Sequence, residues 1–343
     1  MKLQFNSASY RAAGLFILPL RLVIGWTYFS AFWRRLILDN KLIPEEAGYI
    51  GEKFNHFLPN ALGIKPIIEY LVSNPDMLQM AMVTFTIIEA VVGLFLILGL
   101  FTRAMSVGVF FLALGILLGS GWLGTTCLDE WQIGVLGIST GFVLFLTGSG
   151  AFSLDHYLMQ RQIPLTQKKW YAWIGSGYLP IIPLKWLVLG ASILIMGLTL
   201  FTNQYFHGGV FGTLHNKSVR PKVEISNIEQ QGKQLSFTLF RIEGADVYGS
   251  FLIGIDILNS NGDIVKTINQ EELSQFPSQN IRNHYVAKIK PGKHSLILPL
   301  GAKADLTIDL SGVEIEDMRT IKLTDISGIE WSAQIENSAN ESL

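Results

Sequence analysis

Through residue 203 the apolar positions run together; beyond it they alternate. Four runs, 12–38, 77–100, 104–122 and 181–202, reach or approach the ~20 residues a helix needs to cross a bilayer. A fifth, 131–147, is shorter, and its Gly134, Gly137 and Gly141 have the small-residue spacing that lets helices pack closely in lipid. The pattern predicts five spans. The first is too long, and too far from a small-residue cleavage site, to be a removable signal peptide. Trp26, Trp33, Trp122, Trp131 and Trp186 fall near the predicted ends, where indoles anchor at the interface.

After the fifth span the period changes to two. Strands are expected over 223–226, 235–240, 251–258, 264–268, 284–289, 295–300, 306–310, 321–326 and 330–335. Asn259-Ser-Asn-Gly262 has the composition of a hairpin turn, and Pro291-Gly292 and Ser311-Gly312 punctuate the later strands. Short strands at this spacing read as an antiparallel sandwich. The fold class is therefore a membrane α-helical bundle, four helices plus a fifth span, followed by an all-β sandwich exterior domain. The expected divisions are a four-span bundle over 1–160, a linker with the fifth span over 161–203, and the sandwich over 204–343.

Composition supports the split. The chain is 49% hydrophobic and 15% charged, with a mean hydropathy of +0.36. Residues 1–203 hold 13 Lys and Arg against 10 Asp and Glu, and the remainder holds 13 against 17. A net charge of −1 offers no footprint for nucleic acid. One cysteine excludes an internal disulfide and any cysteine-rich zinc or iron–sulfur site, and no metal, flavin or haem motif is recognisable. Five spans put the end of the first span, the 39–76 loop, the 123–130 loop and the C-terminal domain on one face. The balance of basic residues places the N-terminus in the cytoplasm, so that face is the periplasm and the membrane is the bacterial inner one. Pro44 and the amphipathic spacing after it predict that the 39–76 loop lies in the interface as a cap over the bundle.

Several residues carry candidate chemistry. Arg21 and Glu89 lie inside apolar spans, where an ionisable group costs at least ~2.5 kcal/mol unless paired or hydrated. At 1.5 Å per residue they come to nearly one depth, so a pair is expected, either a clamp between spans or part of a quinone-headgroup and proton-handling site. Residues 121–132 put Cys127 beside Asp129, Glu130 and Trp131. Two carboxylates raise a thiol's pKa, which Arg34 and Arg35 on the same face can offset; a guanidinium pair also suits a doubly charged oxyanion. His207 and His215 flank a glycine-rich turn that can bring both to one site, as substrate or proton-handling groups or simply as part of a tether. The run Gly148-x-Gly150-x-x-Ser153-x-Asp155 reads as a structural elbow, with Ser153 capping the next helix.

These residues resemble a known family. Pro19-Leu-Arg21, Glu89 with Gly93 and Leu98-Gly-Leu-Phe-Thr-Arg103, and the closing Gly148–Asp155 run are similar to the DoxD/DoxX membrane proteins. Leu123-Gly-Thr-Thr-Cys-Leu-Asp-Glu-Trp131 narrows the likeness to DoxD, and Tyr205-Phe-His-Gly-Gly-Val-Phe-Gly-Thr-Leu-His-Asn216 opens a part that resembles DoxA. The resemblance implies a thiosulfate:quinone oxidoreductase that makes tetrathionate and reduces a membrane quinone. It carries Arg21, Glu89, Arg103, Cys127, Asp129, Glu130 and Asp155 into the family pattern. On this reading Cys127, Glu89, Asp129 and Glu130 are catalytic candidates, and Arg34, Arg35, Arg21, Trp131, His207 and His215 bind substrate. The partners are the bilayer, thiosulfate and quinone, with a homo-oligomer left open. The competing reading is a non-catalytic assembly subunit whose sandwich binds a periplasmic protein.

Overall fold

The first apolar segment is helical in three consecutive pieces: α1 (Ser7–Phe16), α2 (Leu18–Phe32) and a π-helical turn over Trp33–Ile37. These come from a computed structural model that describes residues 7–44, 46, 48–124, 129–177, 184–245, 250–312 and 318–335. Pro19, which has no N–H to donate, sits in the first turn of α2 and marks the break at Ile17. The hydrogen-bond ladder still runs across it, from Ile17 N to Ala13 O (3.2 Å) and from Arg21 N to Ile17 O (2.9 Å). Two short helices follow, α3 (Gly51–Phe57) and α4 (Lys65–Ser73), and then three long ones, α5 (Pro75–Leu98), α6 (Thr102–Ser120) and α7 (Asp129–Thr147). The short α8 (Leu154–Gln160) and α9 (Tyr171–Ile174) lead to α10 (Leu184–His207). Among the described residues four helices are long and apolar enough to cross a membrane, within α5, α6, α7 and α10.

The chain divides into two compact units, one of Met1–Ile50, Gln79–Trp122 and Leu128–His215, the other of Gly51–Leu78, Leu123–Cys127 and Asn216–Leu343. In the first unit glycines set the helix crossings. Gly25 and Gly93 let α2 and α5 meet backbone to backbone, since a Cβ on Gly25 would stand 3.0 Å from Gly93 O. The predicted seam of α7 packs on α6: a Cβ at Gly134 or Gly137 would meet Leu117 Cβ at 2.7 Å or Ala113 Cβ at 2.6 Å, and one at Gly141 would meet Ser106 O at 2.8 Å. Tyr28, Val92, Leu96, Val109, Leu112 and Leu144 fill the space between α2, α5, α6 and α7. Trp122 departs from its interfacial expectation and is fully buried, whereas Trp26 and Trp186 are exposed.

The second unit holds two antiparallel sheets around one core. Its strands are β1 (Lys222–Gln231), β2 (Gln234–Glu243), β3 (Ser250–Asn259), β4 (Ile264–Ile268), β5 (Ile281–Asn283), β6 (Lys290–Pro291), β7 (Leu296–Leu298), β8 (Lys303–Asp309), β9 (Met318–Asp325) and β10 (Glu330–Gln334), with α11 (Gln270–Ser274) after β4. One sheet has the order β1-β2-β8-β5; the other runs β10-β9-β3-β7-β6, with β4 also paired to β3. Leu235, Phe237 and Leu239 of the first sheet share a core with Leu252, Ile255, Ile257, Ile321 and Leu323 of the second. The 259–262 turn closes the β3–β4 hairpin, with Gly262 at φ +87 donating to Asn259 O at 3.1 Å.

Two expectations change here. Residues 284–289 are not a strand, although Tyr285, Ala287 and Ile289 alternate into the core. Their backbone pairs elsewhere: Val286 N donates to Val72 O (3.2 Å) and Ala287 N to Asn55 Oδ1 (3.1 Å). The helical part of the 39–76 loop is likewise a piece of the β domain, where an interfacial cap was expected. Leu58, Ala61, Ile68 and Val72 pack on Tyr285, Asn55 Nδ2 donates to Gly301 O (3.0 Å), and Tyr285 donates to Glu69 Oε1 (2.7 Å). Burial and the bond to Glu69 hold the Tyr285 phenol well above its ordinary pKa.

Candidate functional site

The membrane unit holds two clusters of buried charge. The first gathers at the turn between α5 and α6 and around the 148–155 elbow. Asp155, with no exposure, accepts from Phe101 N (2.9 Å), Thr102 N (3.1 Å), the Tyr171 hydroxyl (2.7 Å) and Ser176 Oγ (2.8 Å). It satisfies the orphan donors that open α6, where a negative charge is favoured. Ser153 caps α8 by accepting from His156 N at 3.1 Å. Burial first, and then the bond and charge of Asp155, raise the Tyr171 pKa. Arg103, also buried, donates from Nε to Phe145 O (2.8 Å), from Nη2 to Gly177 O (2.7 Å), and from Nη1 to Ala172 O.

Arg21 belongs to this first cluster. Its Nη1 donates to Ser149 O (2.5 Å) and its Nη2 to Phe152 O (2.7 Å). The expected Arg21–Glu89 pair is therefore not formed. Rise per residue fixes depth along a helix, but not the direction in which a long side chain leaves it. A Cβ at Gly99 would stand 2.7 Å from Arg21 Nη1, so the missing side chain there admits the guanidinium to the elbow.

Glu89 forms the second cluster with Arg35. Arg35 Nη1 lies 2.5 Å from Glu89 Oε2 and donates to Thr86 Oγ1 at 3.1 Å, and its guanidinium lies 6.0 Å from the Phe85 ring centroid. The side chains are only 17% and 5% exposed. A π-helical turn carries Arg35, closed by Leu38 N donating to Trp33 O at 3.0 Å. Such turns occur often at functional sites. Arg34, one residue earlier, is exposed and reaches back from Nε to Ser30 O at 3.3 Å. The two arginines thus have different partners.

Beside this pair opens a cleft of about 370 Å³. Its apolar walls are Leu36, Leu42, Ile43, Pro44, Val83 and Ile87, and its polar groups come from Asn40, Gln79 and Thr86. Gln79 Oε1 is buried with no hydrogen-bond partner. Sequence reading missed Gln79 and Thr86. The available signal was that Gln79 and Thr86, two uncharged polar residues, lie seven apart and hence on one face of the 77–100 span, whose other polar residues are Thr84 and Glu89.

The other candidates scatter. His207 is buried, and its Nε2 pairs with Gly121 O at 2.9 Å; His215 N donates to His207 O at 3.0 Å, so the turn does bring the two histidines together. Trp131 Nε1 donates to Thr202 Oγ1 at 3.0 Å, tying α7 to α10. Cys127 and the Asp129 side chain lie outside the described residues. Glu130 is half-buried at the start of α7. No group of three or more His, Cys, Asp or Glu that could hold a metal ion occurs among the described residues.

Comparison with protein families assigns both halves. Residues 16–182 match the family described as TQO small subunit DoxD, and residues 206–334 match the one described as TQO small subunit DoxA. The chain belongs to both families as a DoxD–DoxA fusion. Both are small-subunit families of thiosulfate:quinone oxidoreductase, so the fusion has a membrane oxidoreductase role. No solved structure matches the chain. The DoxD match covers both charge clusters and the cleft, and the DoxA match begins one residue before His207.

Proposed function

We propose that this DoxD–DoxA fusion oxidises thiosulfate to tetrathionate at the periplasmic face of the bacterial inner membrane and reduces a membrane quinone. The N-terminus is then cytoplasmic and the β domain periplasmic, with divisions at 160 and 203. The observation that carries the reading is the Arg35–Glu89 pair beside an apolar cleft between the first segment and α5. A quinone enters from lipid and needs an apolar slot with a few convergent polar groups, which this cleft provides.

The chemistry divides by location. Two thiosulfate dianions yield one tetrathionate dianion and two electrons, and no proton is released. The quinone takes those two electrons with two protons. Protons are therefore required only at the quinone end, where Glu89 is the titratable group in the buried pair. Arg35 holds the carboxyl in place and stabilises the carboxylate left when a proton departs. At the aqueous end, the Cys127 thiolate joins the outer sulfur of a thiosulfate, giving up two electrons to the quinone and forming a Cys–S–S–sulfonate (a thiosulfonate adduct). A second thiosulfate then attacks the sulfur bonded to Cys127, releasing tetrathionate and restoring the thiolate. Arg34 is the cation left for a dianion once Arg35 is committed to Glu89. His207, His215 and Trp131 contribute to substrate binding, and Asp129 and Glu130 tune the thiol.

The test is anaerobic reduction of a quinone analogue by purified full-length protein, with and without thiosulfate, beside Cys127→Ser. Reduction that requires thiosulfate and is lost in the variant supports the whole scheme. Activity surviving in the variant keeps the reaction and removes the thiol. A folded wild type with no turnover removes the reaction.

A further inference from the structure

The cleft beside Arg35 contains more than an apolar wall, and its polar groups are regularly placed. Gln79, Val83 and Thr86 all line it from α5. Spaced i, i+4 and i+7, they occupy one face of the helix. Gln79 lines the cleft, and its Oε1 is buried without a hydrogen-bond partner, a polar atom for which a ligand group would be a favourable partner. Thr86, with no exposure, accepts from Arg35 through Oγ1, which leaves its hydroxyl hydrogen pointing away from the guanidinium.

The spacing acts as a ruler. Seven residues of α-helix rise about 10.5 Å. A six-membered ring with opposed oxygens measures about 5 Å between them, and a hydrogen bond of about 2.8 Å at each end brings the span to about 11 Å. We infer that Gln79 and Thr86 are the two-ended positioning contacts of the cleft, selecting a ring with para oxygens over one of the same size with a single oxygen. The ring lies on Val83, one oxygen toward Thr86 and Arg35, the other toward Gln79. A primary amide suits both redox forms, because it can present its N–H to a carbonyl or its oxygen to a hydroxyl. This inference rests on the quinone reading of the cleft and adds the residues that set the ligand's length and orientation.

The test is binding to the full-length protein in nanodiscs, followed by tryptophan fluorescence quenching. The probes are a decyl-substituted 1,4-benzoquinone, the corresponding hydroquinone, and decylphenol, which keeps the ring and tail but has one oxygen. Wild type is expected to prefer both two-oxygen probes over decylphenol by about tenfold, the worth of one net hydrogen bond. Gln79→Leu is expected to bind all three within about twofold of one another. Thr86→Val, which keeps the side chain's shape, is expected to lose the same preference and guards against a Gln79 variant that fails to fold. If both variants discriminate as well as wild type, the ruler is wrong while the cleft still binds quinone. If wild type binds none of the probes, the quinone reading of the cleft falls together with the ruler.

Discussion

Arg21 and Arg35 lie fourteen residues apart in one helical segment, both with little exposure, and are put to opposite uses. Arg21 spends both Nη groups on the main-chain carbonyls of Ser149 and Phe152. Those acceptors cannot change charge, and Arg103 nearby is likewise bonded to main-chain carbonyls, while Asp155 is held by two main-chain N–H groups and by the Tyr171 and Ser176 hydroxyls. Arg35 instead meets Glu89, a group that can gain and lose a proton, and also donates to Thr86, which lines the neighbouring cleft. Burial alone therefore does not separate architecture from chemistry. What separates them is whether the partner can change its state.

The largest effect that would sharpen this contrast is expected from Arg21→Met. It strands the buried Ser149 carbonyl, removes the partner of the Phe152 carbonyl and leaves the elbow unheld, for a loss of roughly 2–5 kcal/mol. Little stable protein should be recovered in detergent, as judged by yield and thermal unfolding. An Arg21→Met variant that unfolds like wild type and has lost only turnover would reverse the assignment of the two clusters.

Arg35→Met should invert the pattern. Glu89 can take up a proton and become neutral when its partner is gone, so stability should fall less than in Arg21→Met. Quinone reduction should fall by about 100-fold, within the usual range for losing a positioned acid–base group. Parallel melting curves and steady-state rates on the same preparations check both halves.

The smallest effect concerns pH. Tyr171 beside Asp155 has a raised pKa in the folded state, so it holds its proton where the unfolded chain has begun to lose it. Its contribution is complete below the ordinary tyrosine value of about 10 and is lost as pH climbs beyond that toward the folded value. Wild type should therefore lose stability above about pH 10 more steeply than Tyr171→Phe, and the two should have parallel profiles from pH 6 to 9. Equal slopes above pH 10 would mean that burying Tyr171 beside Asp155 carries no linkage.

The contrast also shows where the sequence was informative. The glycine seam of α7, four of the five expected spans and most strands were legible, because small-residue spacing and the two hydrophobic periods are local properties; the first expected span is helical only in shorter pieces among the described residues. Ser153 as a cap was legible for the same reason. The partner of Glu89 was not. Depth arithmetic chose Arg21, while Gly99 and the π-helical turn at Trp33–Ile37 settle where each guanidinium goes. The partner of the 51–73 helices was not legible either: amphipathic spacing shows that a face is covered without showing what covers it. Residues 284–289 have a strand's burial pattern, and only tertiary structure shows that their backbone bonds go to Asn55 and Val72.

The most direct test of the central claim is the rate of thiosulfate-dependent reduction of a 1,4-benzoquinone analogue by Glu89→Gln, measured anaerobically beside wild type. Glutamine keeps the size and can still accept from Arg35, but it has no proton to give. A variant that melts within a few degrees of wild type, still binds the analogue, and turns over about 100-fold more slowly is the predicted result. Wild-type turnover in that variant would contradict it, and would make Arg35–Glu89 a clamp like the cluster around Arg21.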